Sequence, residues 1–213
     1  MSGLRERKRQ RTHDTISATA IRLFLERGFD AVSVADVADA AEVSKPTLFR
    51  YFPTKEDLVL HRIGDHLGEP ARVVAAAAGD PVAALHKHFL DGLAQRDPVT
   101  GLNDVPEVLA FHRLVFETPA LAARRAGFID EDEAALASAL EAATGEPELM
   151  AKLVAAQVLA VQRVLARENW RRIMTGTSAD ELYPAAVDAA DAAFALLRPD
   201  TATARRERAG PSK

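Results

Sequence analysis

The sequence predicts an all-α protein with about nine helices. Apolar residues recur at helical spacing through most of the 213 residues, and Pro and Gly fall between these stretches. The 48% of hydrophobic residues is enough for a sizeable core, and no convincing strand pattern is found. We expect a basic flexible arm at residues 1–11, a three-helix module at 12–53, a larger helical body at 54–197 and a disordered tail at 198–213.

The first helix of the module is predicted over residues 12–27. Gly28 is a suitable residue to end it, because glycine adopts the left-handed conformation of a helix C-terminus without strain. Four apolar residues share the inner face of this helix: Ile16, Ala20, Leu23 and Phe24.

Two short helices joined by a tight turn are predicted over residues 33–52. Ser33 is a good N-cap with Asp36 in the capping-box position, and Ser44 caps the second helix. Pro53 pushes the residue before it out of the helical region, which ends that helix. Helix, three-residue turn and helix form a helix-turn-helix pattern.

The second helix of this pair has an outer face that suits a nucleic-acid groove. Leu48 and Phe52 are four residues apart and should point into the core, whereas the opposite side carries no acidic residue. We expect base edges to face Lys45, Pro46, Thr47 and Arg50, and phosphates to contact Ser33, Tyr51 and Lys55. The full set of predicted DNA-binding residues is Ser33, Ser44, Lys45, Pro46, Thr47, Phe49, Arg50, Tyr51 and Lys55. The alternative is an ordinary surface helix.

The distribution of charge supports a nucleic-acid partner although the net charge is −4. Residues 1–55 carry ten Lys/Arg against seven Asp/Glu, and the acidic excess lies in the rest of the chain. Residues 1–11 alone hold five basic residues and one acidic residue. This segment is either a solvated tail or an arm that contacts the DNA backbone or minor groove, and both descriptions can hold.

The run VADVADAAEVSKPTLFRYFPTKEDL resembles the DNA-binding signature of the TetR-type bacterial regulators. Upstream, Ile16, Ala20, Leu23, Phe24, Gly28 and Phe29 are similar to that family's first helix and its exit. The resemblance covers about residues 10–60. The chain departs from the family at Glu42, where glycine is usual, and at Phe49, where tyrosine is common. A left-handed backbone at Glu42 would cost about 1 kcal/mol.

Six helices are predicted in the body, over residues 54–67, 81–96, 106–117, 119–143, 148–174 and 179–197, and the alanine-rich run 71–78 is a candidate continuation of the first of them. The helix at 148–174 has two apolar stripes where a surface helix needs one, so one stripe should face the core and the other an interface. The first stripe contains Leu149, Leu153, Ala156, Ala160 and Val164. The predicted homodimer interface combines the second stripe with the last helix: Val154, Val158, Val161, Leu165, Ala186, Val187, Ala190 and Phe194. The alternative is one larger core.

No constellation of residues predicts an enzyme or a cofactor. The six histidines lack the spacing of a helical metal site, cysteine is absent, and no phosphate loop or nucleophile motif occurs. The resemblance implies a pocket for a small-molecule effector among the helices of the body. Its candidate lining is Phe89, Asn103, Phe111, His112, Phe116, Gln157 and Trp170.

These observations together predict a homodimeric DNA-binding regulator, most simply a repressor released from a palindromic operator by a largely hydrophobic small molecule. We find no apolar run of membrane-spanning length and no secretory signal, so a cytoplasmic protein without a membrane partner is expected. Two alternatives stay open: a helical interaction protein or enzyme that does not use the module, and a DNA-binding protein that ignores ligands.

Overall fold

The computed structural model describes residues 2–64 and 66–197, and within these ranges the chain forms ten α-helices, one short 3-10 helix and no strand. The predicted all-α fold is confirmed. The predicted tail at 198–213 lies outside the described residues. The helices are α1 (Ser2–Arg27), α2 (Val34–Ala40), α3 (Lys45–Tyr51), α4 (Asp57–Gly64), α5 (Glu69–Ala76), α6 (Pro81–Gln95), the 3-10 helix η1 (Pro98–Thr100), α7 (Pro106–Glu117), α8 (Pro119–Thr144), α9 (Glu148–Met174) and α10 (Ala179–Ala195).

Helix α1 begins at Ser2, ten residues before the predicted start. The segment predicted as a flexible arm is therefore a helical extension of α1. Its Arg, Lys, Gln and Glu residues are good helix formers, and local bonds support the helix. The Gln10 side chain donates to Asp14 at 2.9 Å, and the Thr12 hydroxyl donates to the Lys8 carbonyl at 3.0 Å.

The described residues divide into two compact units. Unit 1 contains the residues up to 67 together with residues 105–129, and unit 2 contains residues 68–104 and those from 130 onward. This division differs from the predicted boundary after residue 53, because α4 packs against α1 within unit 1. Helix α4 ends at Gly64, and Gly68, with a φ of 71°, precedes α5 at the predicted break.

The core of unit 1 is built around α1, which packs against α2, α4 and α7. The inner residues predicted for α1 are buried, as are the two residues that α3 was expected to point inward. Burying a large apolar side chain contributes about 1.5–3 kcal/mol, so these residues fix the helices of the unit together. The largest fully buried side chains of unit 1 are Ile16, Phe24, Leu48, Phe52, Leu58, Leu60 and Leu121.

In unit 2, α6 packs against α5 and α10, and α10 packs against α9. The segment 97–104 is fixed against α9 at two points. Gly101 has a φ of 71°, and a Cβ there would lie 1.9 Å from the Ala166 carbonyl oxygen, so only glycine fits without movement. The buried Asn169 side chain donates to the Thr100 carbonyl at 3.0 Å. The segment 97–104, which lies between two predicted helices, is therefore part of the packed core.

The structure reverses the predicted orientation of α9. Its buried face consists of Ala151, Ala155, Val158, Leu159, Asn169 and Ile173, whereas the first stripe points outward with Leu149, Leu153 and Val164 exposed by 67%, 47% and 68%. Four residues assigned to the dimer interface lie in the core instead: Val158, Ala186, Ala190 and Phe194. The other four, Val154, Val161, Leu165 and Val187, are half-buried. The prediction was wrong because two apolar stripes on one helix look equivalent until its neighbours are known.

Among the described residues, α9 is the one helix long and apolar enough to cross a bilayer by length and composition alone, which corrects the expectation that no apolar run reaches that length. Its exposed apolar face extends from Leu149 to Val164, and exposed Arg167, Glu168 and Arg171 follow. At 1.5 Å per residue this face is roughly 22 Å long, shorter than the ~30 Å of bilayer hydrocarbon.

Candidate nucleic-acid interface

The first helix of the predicted pair begins with a complete capping box. The Ser33 N–H donates to Asp36 Oδ2 at 2.7 Å, and the Asp36 N–H donates to Ser33 Oγ at 3.1 Å. Hydrogen bonding by the Ser33 hydroxyl and then by its backbone N–H lowers the pKa of Asp36. The predicted cap is therefore present, and its hydroxyl interacts with Asp36.

The turn between α2 and α3 contains a left-handed residue. Glu42 has a φ of 54°, and its N–H donates to the Asp39 carbonyl at 3.1 Å. The next N–H, from Val43, donates to the Ala38 carbonyl at 2.9 Å. Because Glu42 carries a Cβ in this region of φ and ψ, the turn stores about 1 kcal/mol of strain.

Helix α3 has the predicted ends. Ser44 Oγ accepts the Thr47 N–H at 3.3 Å and lies 2.8 Å from Thr47 Oγ1, so the start of the helix is capped. The helix ends at Tyr51, and Phe52 before Pro53 is extended with a φ of −133°.

The two faces of α3 are chemically distinct. Leu48 and Phe52 are buried, whereas Lys45, Pro46, Phe49 and Arg50 are exposed; Thr47 and Tyr51 are half-buried. The Arg50 guanidinium lies 5.6 Å from the centre of the Tyr51 ring. The outer face thus presents two cations and no carboxylate on a capped helix of seven residues.

Lys55 has a different environment from the one predicted. Its ammonium donates to the Phe29 carbonyl at 2.5 Å and lies 4.3 Å from the Phe29 ring centre and 5.5 Å from that of Phe24. In this arrangement Lys55 fastens the start of α4 to the exit of α1 and is directed at protein groups. Sequence spacing placed the residue at the right end of the helix but not on its outer side.

Asp57 joins α4 to α8 within unit 1, a link that the sequence analysis missed. Its Oδ2 accepts the Thr54 N–H at 3.1 Å, and its Oδ1 lies 3.4 Å from Arg124 Nε. The Thr54 bond follows from local spacing, but the two ion-pair partners are 67 residues apart and no local pattern connects them.

The structure divides the candidate effector residues between the two units. Phe111, His112 and Phe116 lie on α7 in unit 1, with the His112 ring 5.7 Å from Phe116 and 6.4 Å from Phe111. Burial lowers the pKa of His112, and its Nδ1 is buried with no hydrogen-bond partner in the described part of the chain.

The remaining candidates belong to unit 2 and do not form one cluster there. Phe89 packs in the core 6.2 Å from Phe194, and the Asn103 side chain donates to the Arg96 carbonyl at 2.7 Å. Trp170 is half-buried on α9. Gln157 is exposed on the outer face of α9, so it does not line a pocket of its own unit. Within residues 2–64 and 66–197, no group of three or more His, Asp or Glu could hold a metal ion.

A capped helix-turn-helix with a cationic outer face defines unit 1 as a DNA-binding unit of the kind found in transcription regulators. Residues 16–61 match the family model described as bacterial regulatory proteins, tetR family. The chain is also 33% identical over 183 residues to the HTH-type transcriptional regulator TcmR of Streptomyces glaucescens, covering 83% of this chain and 81% of TcmR. The chain belongs to the tetR family, and it is a transcriptional regulator rather than an enzyme.

Two further similarities differ in how much of the chain they cover. The putative mycofactocin biosynthesis regulator MftR of Mycobacterium tuberculosis is 41% identical over 63 residues, which are 30% of this chain and 32% of MftR. The crystal structure of NalD, the secondary repressor of the MexAB-OprM multidrug efflux pump in Pseudomonas aeruginosa, has a TM-score of 0.57 at 16% identity. It covers 88% of this chain and 97% of NalD. At that identity the likeness concerns the fold alone.

Proposed function

We propose that this regulator is a cytoplasmic repressor that binds a near-palindromic operator as a homodimer and is released by a small, largely hydrophobic effector. The observation that carries the proposal is the outer face of α3, where Lys45 and Arg50 are exposed on a helix whose other side is buried. An α-helix fits the major groove of DNA, and Arg or Lys can bind guanine there through O6 and N7.

The side chains of the interface divide into two proposed roles. Lys45, Pro46, Thr47 and Arg50 face base edges and set the sequence preference. Ser33, Ser44, Phe49 and Tyr51 flank this face and contact the DNA backbone, since the N-termini of α2 and α3 both attract anions. Lys55 supports the interface by fastening α4 to the exit of α1, so it is not one of the proposed phosphate contacts.

Selection of duplexes from fragmented genomic DNA tests the proposal. The wild-type protein should enrich a near-palindrome, and Arg50→Ala should relax the preference at a base pair by about 1–3 kcal/mol. Arg22→Ala is the matched control, because it removes one exposed arginine from α1, where Arg22 pairs with Glu26 at 3.0 Å. Unchanged preference in Arg50→Ala, or equal changes in both variants, would refute the assignment of α3 as the reading helix.

The outer faces of α9 and α10 support the homodimer. TetR-family regulators bind DNA and function as dimers, and an exposed apolar stripe on α9 needs a partner. Helix α10 exposes small residues that allow close approach of another helix, together with a Leu196 that is 85% exposed. Two copies meeting through these faces would form a four-helix contact and a two-fold symmetric DNA reader. The proposed contact residues are Leu149, Met150, Leu153, Val164, Ala185, Ala189, Ala192 and Leu196.

The surroundings of His112 support an effector site on α7. Because burial favours its neutral form, His112 offers a hydrogen-bonding Nδ1 beside the rings of Phe111 and Phe116. A largely apolar molecule with one polar group matches this chemistry. We assign the site to these three residues and leave Phe89, Asn103, Gln157 and Trp170 out of it.

The switch is proposed to act through α4, whose Leu58, Val59 and Leu60 are fully buried in unit 1. A ligand can shift α4 only if it binds the shifted arrangement more tightly than the DNA-competent one. The two reading helices of a dimer must be about 34–36 Å apart, so a displacement of a few ångströms lowers affinity.

Calorimetric titration tests the switch with any compound that raises the melting temperature in a thermal-shift screen. Operator DNA should weaken binding of the compound by the same factor by which the compound weakens DNA binding. His112→Phe should lose the compound and keep DNA binding. Equal affinity of the compound with and without operator would favour the alternative, a regulator that binds DNA independently of this ligand.

A further inference from the structure

A groove of about 280 Å³ lies between the first half of α1 and the turn that joins α2 to α3. Lys8, Arg11, Thr12 and Thr15 line its α1 side; their spacing of three, four and seven residues places them on one helix face. Residues 41–43 line the other side. The chain continues from these residues directly into the cap of α3, so the groove borders the proposed DNA surface within unit 1.

The side-chain contacts of Lys8 and Arg11 do not give either cation a role in stabilising the fold. Lys8 and Arg11 are exposed, and neither forms an ion pair in the described part of the chain. The hydroxyls of Thr12 and Thr15 donate to the carbonyls of Lys8 and Arg11 at 3.0 and 2.8 Å, which fixes the helix but leaves both charges unneutralised. An anion in the groove would meet both of them.

Glu42 adds a carboxylate to the same groove. It is exposed in the left-handed conformation, and among the described residues its one hydrogen bond is that from its backbone N–H to the Asp39 carbonyl. The groove therefore combines two cations that attract an anion with one carboxylate that repels it.

We propose that this groove binds a phosphate of the DNA backbone beside the base pairs that α3 reads, and that Glu42 limits the affinity of the site. The inference rests on the proposed function, because a DNA phosphate reaches the groove only when α3 binds a duplex. The helical start of α1 matters here, since it holds Lys8 and Arg11 on one face where a flexible arm would not.

Salt titrations of two duplexes measure the site. The first duplex is one that the wild-type protein selects from genomic fragments, and the second is a 30-base-pair duplex of random sequence. The Lys8→Ala/Arg11→Ala protein should reduce the slope of log K against log salt by roughly 2 for a dimer, from about 0.9 per phosphate in each subunit. The reduction should be the same on both duplexes, because phosphate contacts carry no sequence information.

Arg9→Ala and Arg11→Ala form the matched pair. Both remove one exposed arginine from the same turn of α1, but Arg9 is about 100° around the helix from Lys8 and does not line the groove. Arg11→Ala should have the larger effect on the salt slope. Equal effects would show that the general charge of α1, and not this groove, attracts DNA, and would overturn the proposal.

Glu42→Gln provides the second measurement because it removes the charge and keeps a side chain of similar size. The variant should bind both duplexes about 3–10-fold more tightly at 0.1 M salt, and this gain should disappear in the Lys8→Ala/Arg11→Ala background. A gain of the same size in both backgrounds, or no gain in either, would overturn the role of Glu42.

The same titrations separate this inference from the function on which it rests. If the wild-type protein prefers its selected duplex and the groove variants bind as it does, only the phosphate site is refuted. If the wild-type protein selects no duplex from genomic fragments and does not bind the random duplex, the proposed function is refuted and the site with it. Far-UV circular dichroism of each variant, expected to match the wild type because the substituted residues are exposed, excludes unfolding as the cause.

Discussion

Helices α3 and α9 each bury one face and expose the other, but their exposed faces are chemically opposite. On α3 the outer face carries Lys45 and Arg50, whereas on α9 it carries Leu149 and Val164, exposed by 67% and 68%. Exposed charges are well hydrated, whereas exposed apolar area gains roughly 25 cal/mol per Å² when it is covered. The outer face of α3 therefore suits reversible binding of a charged partner, and the outer face of α9 suits a stable protein–protein interface.

The two helices also differ in what fixes their orientation. Local features orient α3: the Ser44 cap at one end, Pro53 at the other and a tight turn before it. Distant residues orient α9, through the Asn169 bond to Thr100 and the approach of Gly101 to Ala166. A change near α3 should therefore alter binding, whereas a change on the inner side of α9 should alter folding.

Gly101→Ala should have the largest effect on stability. The new Cβ would lie 1.9 Å from the Ala166 carbonyl oxygen at a φ of 71°, so the segment 97–104 must move away from α9. We expect a loss of about 3–5 kcal/mol in the free energy of unfolding. Gly145→Ala is the control, since its φ is 69° and nothing lies within 4 Å of its Cβ; it should cost about 1 kcal/mol. Similar costs in urea titrations would show that the close approach is unimportant.

Val158→Glu and Leu153→Glu should separate the two faces of α9. Val158 is fully buried, so a glutamate there places an unpaired charge in the core and should cost at least about 3 kcal/mol. Leu153 is 47% exposed, so Leu153→Glu should remain folded but sediment as a monomer. Folded dimers of Leu153→Glu, together with folded dimers of a second outer variant, Val164→Glu, would exclude this face from the interface.

Arg50→Ala and Lys55→Ala should separate binding from stability within unit 1. Arg50 is exposed, so its loss should change base preference by about 1–3 kcal/mol and leave the melting temperature nearly unchanged. Lys55 bonds to the Phe29 carbonyl and lies over two aromatic rings, so its loss should lower stability by about 1–2 kcal/mol. Thermal melts and DNA titrations of both proteins decide the point. An unchanged melting temperature for Lys55→Ala would show that the Lys55 ammonium does not stabilise the fold. Lys55 would then again be a candidate for a phosphate contact.

The sequence was sufficient for the helix-turn-helix because the information there is local. The caps at Ser33 and Ser44, the stop at Pro53 and the inward pair Leu48 and Phe52 are all within five residues of the features they control. The left-handed conformation at Glu42 was raised only as a condition, because the family resemblance places glycine at this position of the turn.

The sequence was insufficient where distant contacts decide the outcome. Two apolar stripes on α9 are equally good candidates for the core, and the packing of α10 and of segment 97–104 selects one of them. In the same way, Lys55 turns inward because the exit of α1 brings the Phe29 carbonyl within reach. The start of α1 was misplaced for another reason: a basic composition was taken as disorder, although its residues are good helix formers.

A smaller effect is expected for Glu42→Gly, which tests the cost of the turn beside α3. Glycine adopts a φ of 54° freely, so relief of strain should raise the free energy of unfolding by about 1 kcal/mol. Glu42→Gln keeps the Cβ and should leave stability nearly unchanged, which distinguishes strain from charge. Urea titrations at equal salt compare the two. A Glu42→Gly protein no more stable than Glu42→Gln would mean that the turn is relaxed with a side chain present.

The smallest expected effect is the pH dependence contributed by His112. Burial lowers the pKa of His112 below the 6.5 of an unperturbed histidine, so the unfolded chain binds this proton more readily than the folded one. Its unfavourable contribution is therefore absent well above pH 6.5 and grows as the pH falls below that value. His112→Phe removes the titrating group and should make the free energy of unfolding decline less steeply between pH 7.5 and 5. Urea titrations of both proteins across this range measure the slopes. Parallel slopes would mean that His112 is protonated as easily in the folded protein as in the unfolded chain, and the neutral, unpartnered Nδ1 assigned to the effector site would lose its support.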